Sequence, residues 1–186
     1  MYNNRNVHIS KLFLLNGKFH FTISPTGVNA LRYKKYIYTH DFDSSDTKQE
    51  TIIEVYSNNF VIHNGKYYYY NHEKNTFCST DMTTASETVI AQNVEITDIC
   101  EYDGTIYYTS VSSQNKGIYA YNISSKTNTK LTDKVGHGLT VLNGQLFFTN
   151  IALNYPLDYP SPVEGASGDG HMYSINLSTN AVTKIA

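Results

Sequence analysis

Four times the chain runs into an Asn-Gly or Asp-Gly pair and leaves it through a block of aromatic and branched residues. The stretches are LFLLNGKFHFTIS (12–24), FVIHNGKYYYYN (60–71), ICEYDGTIYYTS (99–110) and LTVLNGQLFFTN (139–150). Their glycines, Gly17, Gly65, Gly104 and Gly144, lie 48, 39 and 40 residues apart. Self-similarity at such a period marks a repeat architecture and constrains the fold more than any other feature. Asn-Gly and Asp-Gly supply the positive φ angles of a type I′ turn, whose twist suits antiparallel strands. Each stretch is therefore predicted to be a hairpin, with turns at 16–17, 64–65, 103–104 and 143–144.

A second strand pair follows each hairpin, in 36–55, 76–91, 117–132 and 171–186. Asp41, Asp81, Asn122 and Asn176 hold matching places there, each ahead of a Ser/Thr/Asn-rich turn. A unit thus reads strand, tight turn, strand, loop, strand, polar turn, strand. Four such antiparallel strands per repeat predict an all-β β-propeller of four four-stranded blades, approximately 7–55, 56–92, 93–134 and 135–186, within one domain. Neither terminus offers a spare strand to lock a ring. Closure by packing of the last unit on the first, membership of a larger propeller and self-association with a second copy all remain open. The run Tyr67-Tyr68-Tyr69-Tyr70 sits in a second strand, level with Phe19-His20-Phe21, Ile106-Tyr107-Tyr108 and Leu146-Phe147-Phe148. Strands covered on both faces lose polar alternation, so these aromatics are expected to pack between blades rather than to form a ligand-stacking surface.

The composition agrees with this reading and narrows the function. Seventeen Tyr, eight Phe and no Trp make a tyrosine-rich, β-prone chain. A net charge of −2 with scattered Lys and Arg argues against a nucleic-acid partner. No apolar run reaches the length of a membrane span, and MYNNRNVHIS has no apolar signal-peptide core. That leads to a cytoplasmic location for a complete chain and an extracellular one for a trimmed domain of an exported protein. Cys78 and Cys100 lie beside no Cys or His at metal-ligand spacing and read as ordinary half-buried thiols. No cofactor or metal is expected: Asp169 and His171 match no calcium-loop spacing, and no zinc-peptidase, nucleophile-elbow or phosphate-loop motif occurs. The Asn-x-Ser triplets at Asn122 and Asn176 are explained by their turns.

Ile106-Tyr107-Tyr108-Thr109-Ser110 and Leu146-Phe147-Phe148-Thr149-Asn150 resemble the YWTD motif of low-density-lipoprotein-receptor-type propellers. Gly117-Ile118-Tyr119-Ala120-Tyr121-Asn122 is similar to the strand that follows in those blades. Nearly the whole chain resembles bacterial propeller domains of unknown function related to that class. Ser110, Asn150 and Asn71 stand where the motif has Asp. The resemblance implies a non-catalytic, often extracellular module and no catalytic residues. NGKYYYYN also looks like the aromatic repeats of bacterial cell-wall and toxin modules that bind choline or glycans, but those recur at about half this period.

Loops between second and third strands, and the connectors between blades, should share one face, where a rigid scaffold presents function. The longest of these loops, 151–170, holds three of the four prolines and offers Tyr155, Asp158, Tyr159 and Glu164. Stiff aromatic and acidic side chains suit a peptide or sugar. The connectors add Asn58, Thr97 and His137, seven residues before their turn glycines, and next to them Asp98. Glu101 is anomalous, because its column otherwise reads Leu14, Ile62 and Val141; a carboxylate there faces either a solvated channel or a costly burial. The expected function is a non-enzymatic binding or scaffolding module for a protein, peptide or glycan. The alternative is a propeller-type lyase or hydrolase using Asp98, Glu101 and His137, and a further alternative is an aromatic glycan-binding repeat.

Overall fold

The structure, a computed structural model, describes residues 7–15, 17–25, 35–41, 47–55, 60–150 and 168–186. Among the described residues sixteen strands form four antiparallel four-stranded sheets, and there is no helix. Sheet 1 contains β1 (Val7–Leu15), β2 (Lys18–Pro25), β3 (Lys35–Asp41) and β4 (Thr47–Val55). Sheet 2 contains β5 (Phe60–His63), β6 (Lys66–Asn71), β7 (Thr76–Asp81) and β8 (Glu87–Gln92). Sheet 3 contains β9 (Ile96–Tyr102), β10 (Thr105–Ser110), β11 (Gly117–Asn122) and β12 (Thr127–Thr132). Sheet 4 contains β13 (His137–Leu142), β14 (Gln145–Asn150), β15 (His171–Asn176) and β16 (Val182–Lys184). Among the described residues each sheet takes four consecutive strands in chain order, and none mixes strands from the two ends of the chain. The chain divides into two compact units, 1–89 and 90–186.

The turn chemistry recurs as its residues predict. Asn64, Asp103 and Asn143 hold φ of 46°, 49° and 49°, and the following glycines 71°, 70° and 71°, the paired positive angles of a type I′ turn. In sheets 2, 3 and 4 the Asp or Asn ending the third strand shapes the next turn, while the turn after Asp41 lies outside the described residues. Asp81 Oδ1 accepts from the backbone N–H of Thr83 and Thr84 at 2.8 and 2.9 Å. Asn122 Oδ1 accepts from the Ser125 N–H at 2.9 Å, and Asn176 Oδ1 from those of Ser178 and Thr179 at 3.0 and 3.1 Å. These are side-chain-to-backbone bonds of the Asx-turn type. The next residue then reaches the neighbouring hairpin: Met82, Ile123 and Leu177 donate to the carbonyls of Gly65, Gly104 and Gly144 at 2.9, 3.0 and 3.0 Å. Both turns at one end of each of these sheets are thereby tied together.

The core runs through the second strands. Tyr67, Tyr68, Tyr69 and Tyr70 are all buried, and both faces of β6 are covered. On one face Tyr67 joins Phe60, Tyr69 and Cys78 in a cluster. Its hydroxyl meets His20 Nδ1 of sheet 1 at 3.2 Å, with the rings edge to face. The strand aromatics are thus packing residues, as expected. Sheets 3 and 4 share a second cluster of Tyr107, Ile118, Leu139, Leu146, Phe148, Tyr173 and Ile175. Each fully buried aliphatic or aromatic side chain here contributes roughly 1.5–3 kcal/mol. Phe147 departs from the expectation. β14 alternates buried and partly exposed residues, and Phe147, on the face turned away from sheet 3, is only partly covered. Cys78 is buried and Cys100 partly so, both as free thiols; burial pushes the Cys78 thiol up from its ordinary pKa.

Candidate functional site

The connector face of unit 90–186 is held by side chains that reach from one sheet to the next. Asp98, near the start of β9, accepts the Ile99 N–H through Oδ1 at 2.8 Å and the Leu139 N–H through Oδ2 at 2.9 Å. The second bond is available because β13 slips register against β14 between His137 and Thr140, with Gly138 at φ 70°. Leu139 falls in that bulge, and its N–H turns to Asp98 instead of the ladder. Thr109 of β10 donates its hydroxyl to the Gly136 carbonyl at 2.8 Å, a tie from sheet 3 to the connector that leads into β13. Thr97 and His137 are partly buried, and His137 Nε2 is enclosed without a hydrogen-bond partner. Asp98 and the 137–139 segment therefore do meet, but through a structural bond to backbone. Glu101 is partly exposed and not buried without a partner: its Oε1 accepts the Gly104 N–H at 2.9 Å and braces its own hairpin turn.

The same face contains the root of the long 151–170 loop. Gly170 N–H donates to the Asn150 carbonyl at 2.7 Å, closing the loop at its base. Asp169 then gathers donors: the Tyr173 hydroxyl on Oδ2, the Asn150 amide on Oδ1 at 3.0 Å and the His171 N–H on Oδ1 at 3.2 Å. The Tyr173 bond above all holds the Asp169 carboxyl far below the usual carboxylate range, with smaller help from His171 and Asn150. The Lys134 ammonium lies 4.3 Å from the centre of the Tyr173 ring, a cation–π contact. Beside this cluster a cleft of about 270 Å³ is lined by Lys116, Thr132, Asp133, Lys134, Val135 and Asn150. Among the described residues no three His, Cys, Asp or Glu side chains gather as a metal site.

Of the residues singled out by sequence, Asp98 and His137 lie on this face, while Asn58, Tyr155, Asp158, Tyr159 and Glu164 lie outside the described residues. Lys134, Asn150 and Tyr173 escaped sequence reasoning. Lys134 sits in a connector and Tyr173 in a strand, so neither carried a motif. Asn150 alone had a signal, as the residue standing where the YWTD-type motif has Asp.

No protein-family model matches the chain, and no curated protein matches it either. Solved structures do. The crystal structure of a nidogen/laminin complex superposes with a TM-score of 0.64 at 13% identity, over 95% of this chain and 64% of that one. A GH74 enzyme from Niastella koreensis gives 0.62 at 12%, over 95% of this chain and 30% of that one. The β-propeller domain of the trilobed protease from Pyrococcus furiosus gives 0.54 at 10%, over 100% of this chain and 58% of that one. The fold is a β-propeller. The chain spans less than two thirds of the length of each of these neighbours, and at these identities they share its fold alone.

Proposed function

We propose that this chain is a non-catalytic β-propeller module that binds a protein, peptide or glycan through its connector face and the loop at 151–170. The observation that carries the reading is the employment of the carboxylates on that face. Both oxygens of Asp98 accept backbone N–H groups, and Asp169 accepts three donors. An acid or base for hydrolysis must exchange protons with substrate, whereas these groups hold connectors and the loop root in place. What they frame is a polar cleft with two lysines, a positioned loop base and loop residues rich in Tyr, Asp and Pro. A binding surface on rigid supports needs those features. The neighbours include both a laminin-complex structure and a glycoside-hydrolase-family enzyme, so the choice rests on the site and not on the fold. Kinship with the YWTD-type propellers belongs to the same proposal, supported by the structural duty of Thr109 within its Tyr-Tyr-Thr-Ser run.

The test exchanges 151–168 for a short Gly-Ser link, leaving Asp169 and Gly170 in place, and compares both chains on peptide and glycan arrays with a parallel hydrolysis assay. Loop closure varies only as the logarithm of length, so the sheets should melt as before while binding is lost. Turnover of an arrayed glycan by the intact chain would overturn the non-catalytic reading. Binding unchanged by the exchange would remove the loop from the site.

A further inference from the structure

At the opposite end of unit 90–186, the facing surfaces of sheets 3 and 4 part around a second and larger opening. Their middle is apolar, but the sheet 3 face ends in Tyr107, Thr105 and Tyr102, which the register places side by side across β9 and β10. The opposing wall is the Asn143-Gly144 turn with Asn176, Leu177 and Ser178. Together with Asp103 they enclose about 410 Å³, a volume within the range of small-ligand sites, about 300–1,000 Å³. We infer that this opening binds a neutral saccharide unit, stacked on Tyr102 and hydrogen-bonded through Asp103, Thr105 and Asn143. The site is separate from the connector face and does not depend on what that face binds.

Three features select this ligand chemistry. Tyr102 keeps 44% of its surface exposed, although an aromatic side chain gains by covering; a sugar ring offers a C–H face to stack on it. The polar groups are hydroxyls, amides and one carboxylate, a mixture of donors and acceptors that pairs with neighbouring sugar hydroxyls. Among the described residues no Lys, Arg or His lines the opening, so a phosphate, sulfate or uronate would meet the Asp103 carboxylate without a counter-charge from them.

The walls are also set in advance. Ile123 and Leu177 fasten the two hairpin turns by donating to the carbonyls of Gly104 and Gly144. Asn176 fixes the segment carrying Ser178. Glu101 braces the turn that carries Asp103, the only one of the four repeat turns with Asp before its glycine. The anomalous carboxylate in an otherwise apolar column thus supports the one turn that presents an acid here. A wall rigid before binding loses little entropy when ligand arrives.

The experiment applies the full chain to immobilised neutral gluco-, manno-, galacto- and N-acetylhexosamine oligosaccharides, with sulfated and uronate versions as charge controls. The strongest neutral binder is then titrated into the isotopically labelled chain and followed by amide chemical shifts. Shifts are expected at 102–105, 143–144 and 176–178. Tyr102→Ala should weaken binding about tenfold or more, without altering the melting temperature. Asp103→Asn should weaken it less, and Thr129→Ala, on the exposed strand β12 and outside both openings, not at all. If Tyr102→Ala lowers the melting temperature, Tyr102→Phe keeps the ring and should retain binding. Absence of neutral-saccharide binding, preference for the charged forms, shifts centred on 132–135 and 150, or full affinity in a folded Tyr102→Ala would each overturn the assignment.

Discussion

Ile106-Tyr107-Tyr108-Thr109 and Leu146-Phe147-Phe148-Thr149 share one pattern, aliphatic, two aromatics, Thr, placed identically after the hairpin turns of successive sheets, yet they are buried differently. In β10 all four residues are buried. In β14 only Leu146 and Phe148 are, while Phe147 and Thr149 stay partly exposed. Tyr107 and Phe147 are the informative pair, equally spaced from Gly104 and Gly144. Tyr107 faces sheet 4 and joins the cluster with Leu139, Leu146 and Phe148. Phe147 occupies the other side of sheet 4, away from that cluster. An aromatic pair in such a strand states that the sheet can be covered on both faces; it does not state that it is.

The contrast can be broken most directly by truncation. Tyr107→Ala should cost about 3–5 kcal/mol, the range for a buried large aromatic, and Phe147→Ala about 2 kcal/mol or less because part of it stays in water. Urea melts of the two variants check this, and equal losses would erase the distinction. Next in size is Gly136→Ala. An added Cβ there would lie 2.4 Å from Phe148 Cδ2 and 2.8 Å from its Cβ and Cγ, so repacking should cost about 1–3 kcal/mol. A silent Gly136→Ala in the same melts would mean that the covered face of β14 is looser than its burial indicates.

Asp98→Ala should cost roughly 1–3 kcal/mol, as the Leu139 N–H loses its acceptor. Hydrogen exchange at Leu139 should quicken in that variant while amides in β10 change little.

The smallest effect separates units rather than strands. In unit 1–89 Tyr69 donates to Glu87 Oε2 at 2.5 Å, and Lys74 pairs with Glu87 Oε1 at 2.7 Å. Burial alone would raise the Glu87 carboxyl, but the bonds from Lys74 and Tyr69 outweigh it and leave it below its ordinary value of 4.5. A carboxylate lowered by folding stabilises fully above that ordinary value and loses its contribution as pH falls through the folded one. Stability should therefore decline in acid below about pH 4.5, and Glu87→Gln should flatten part of that slope in urea melts repeated across pH. An unchanged slope would detach Glu87 from the acid response.

Much of this was legible in the residues themselves. Asn-Gly and Asp-Gly at a regular period specify hairpins because few other pairs reach two successive positive φ angles cheaply. Asp81, Asn122 and Asn176 specify the later turns because their oxygens reach N–H groups two and three residues on. Both are local chemistry, complete within five residues, so sequence order determined them and with them the four-stranded repeat. The partial exposure of Phe147, the bond from Asp98 to Leu139 and the bracing role of Glu101 were not legible. The first two depend on which surface faces another 40 residues away, and the third on which N–H the hairpin turns toward the carboxylate. The opening around Tyr102 belongs with them: its walls come from hairpin turns and a polar turn of two sheets, brought together only when apolar faces pack. Local sequence determined the repeating strand plan; tertiary packing decided which aromatics are core, that Asp98 is a strut between sheets and where a ligand could enter, because each depends on a neighbour the residue does not share a turn with.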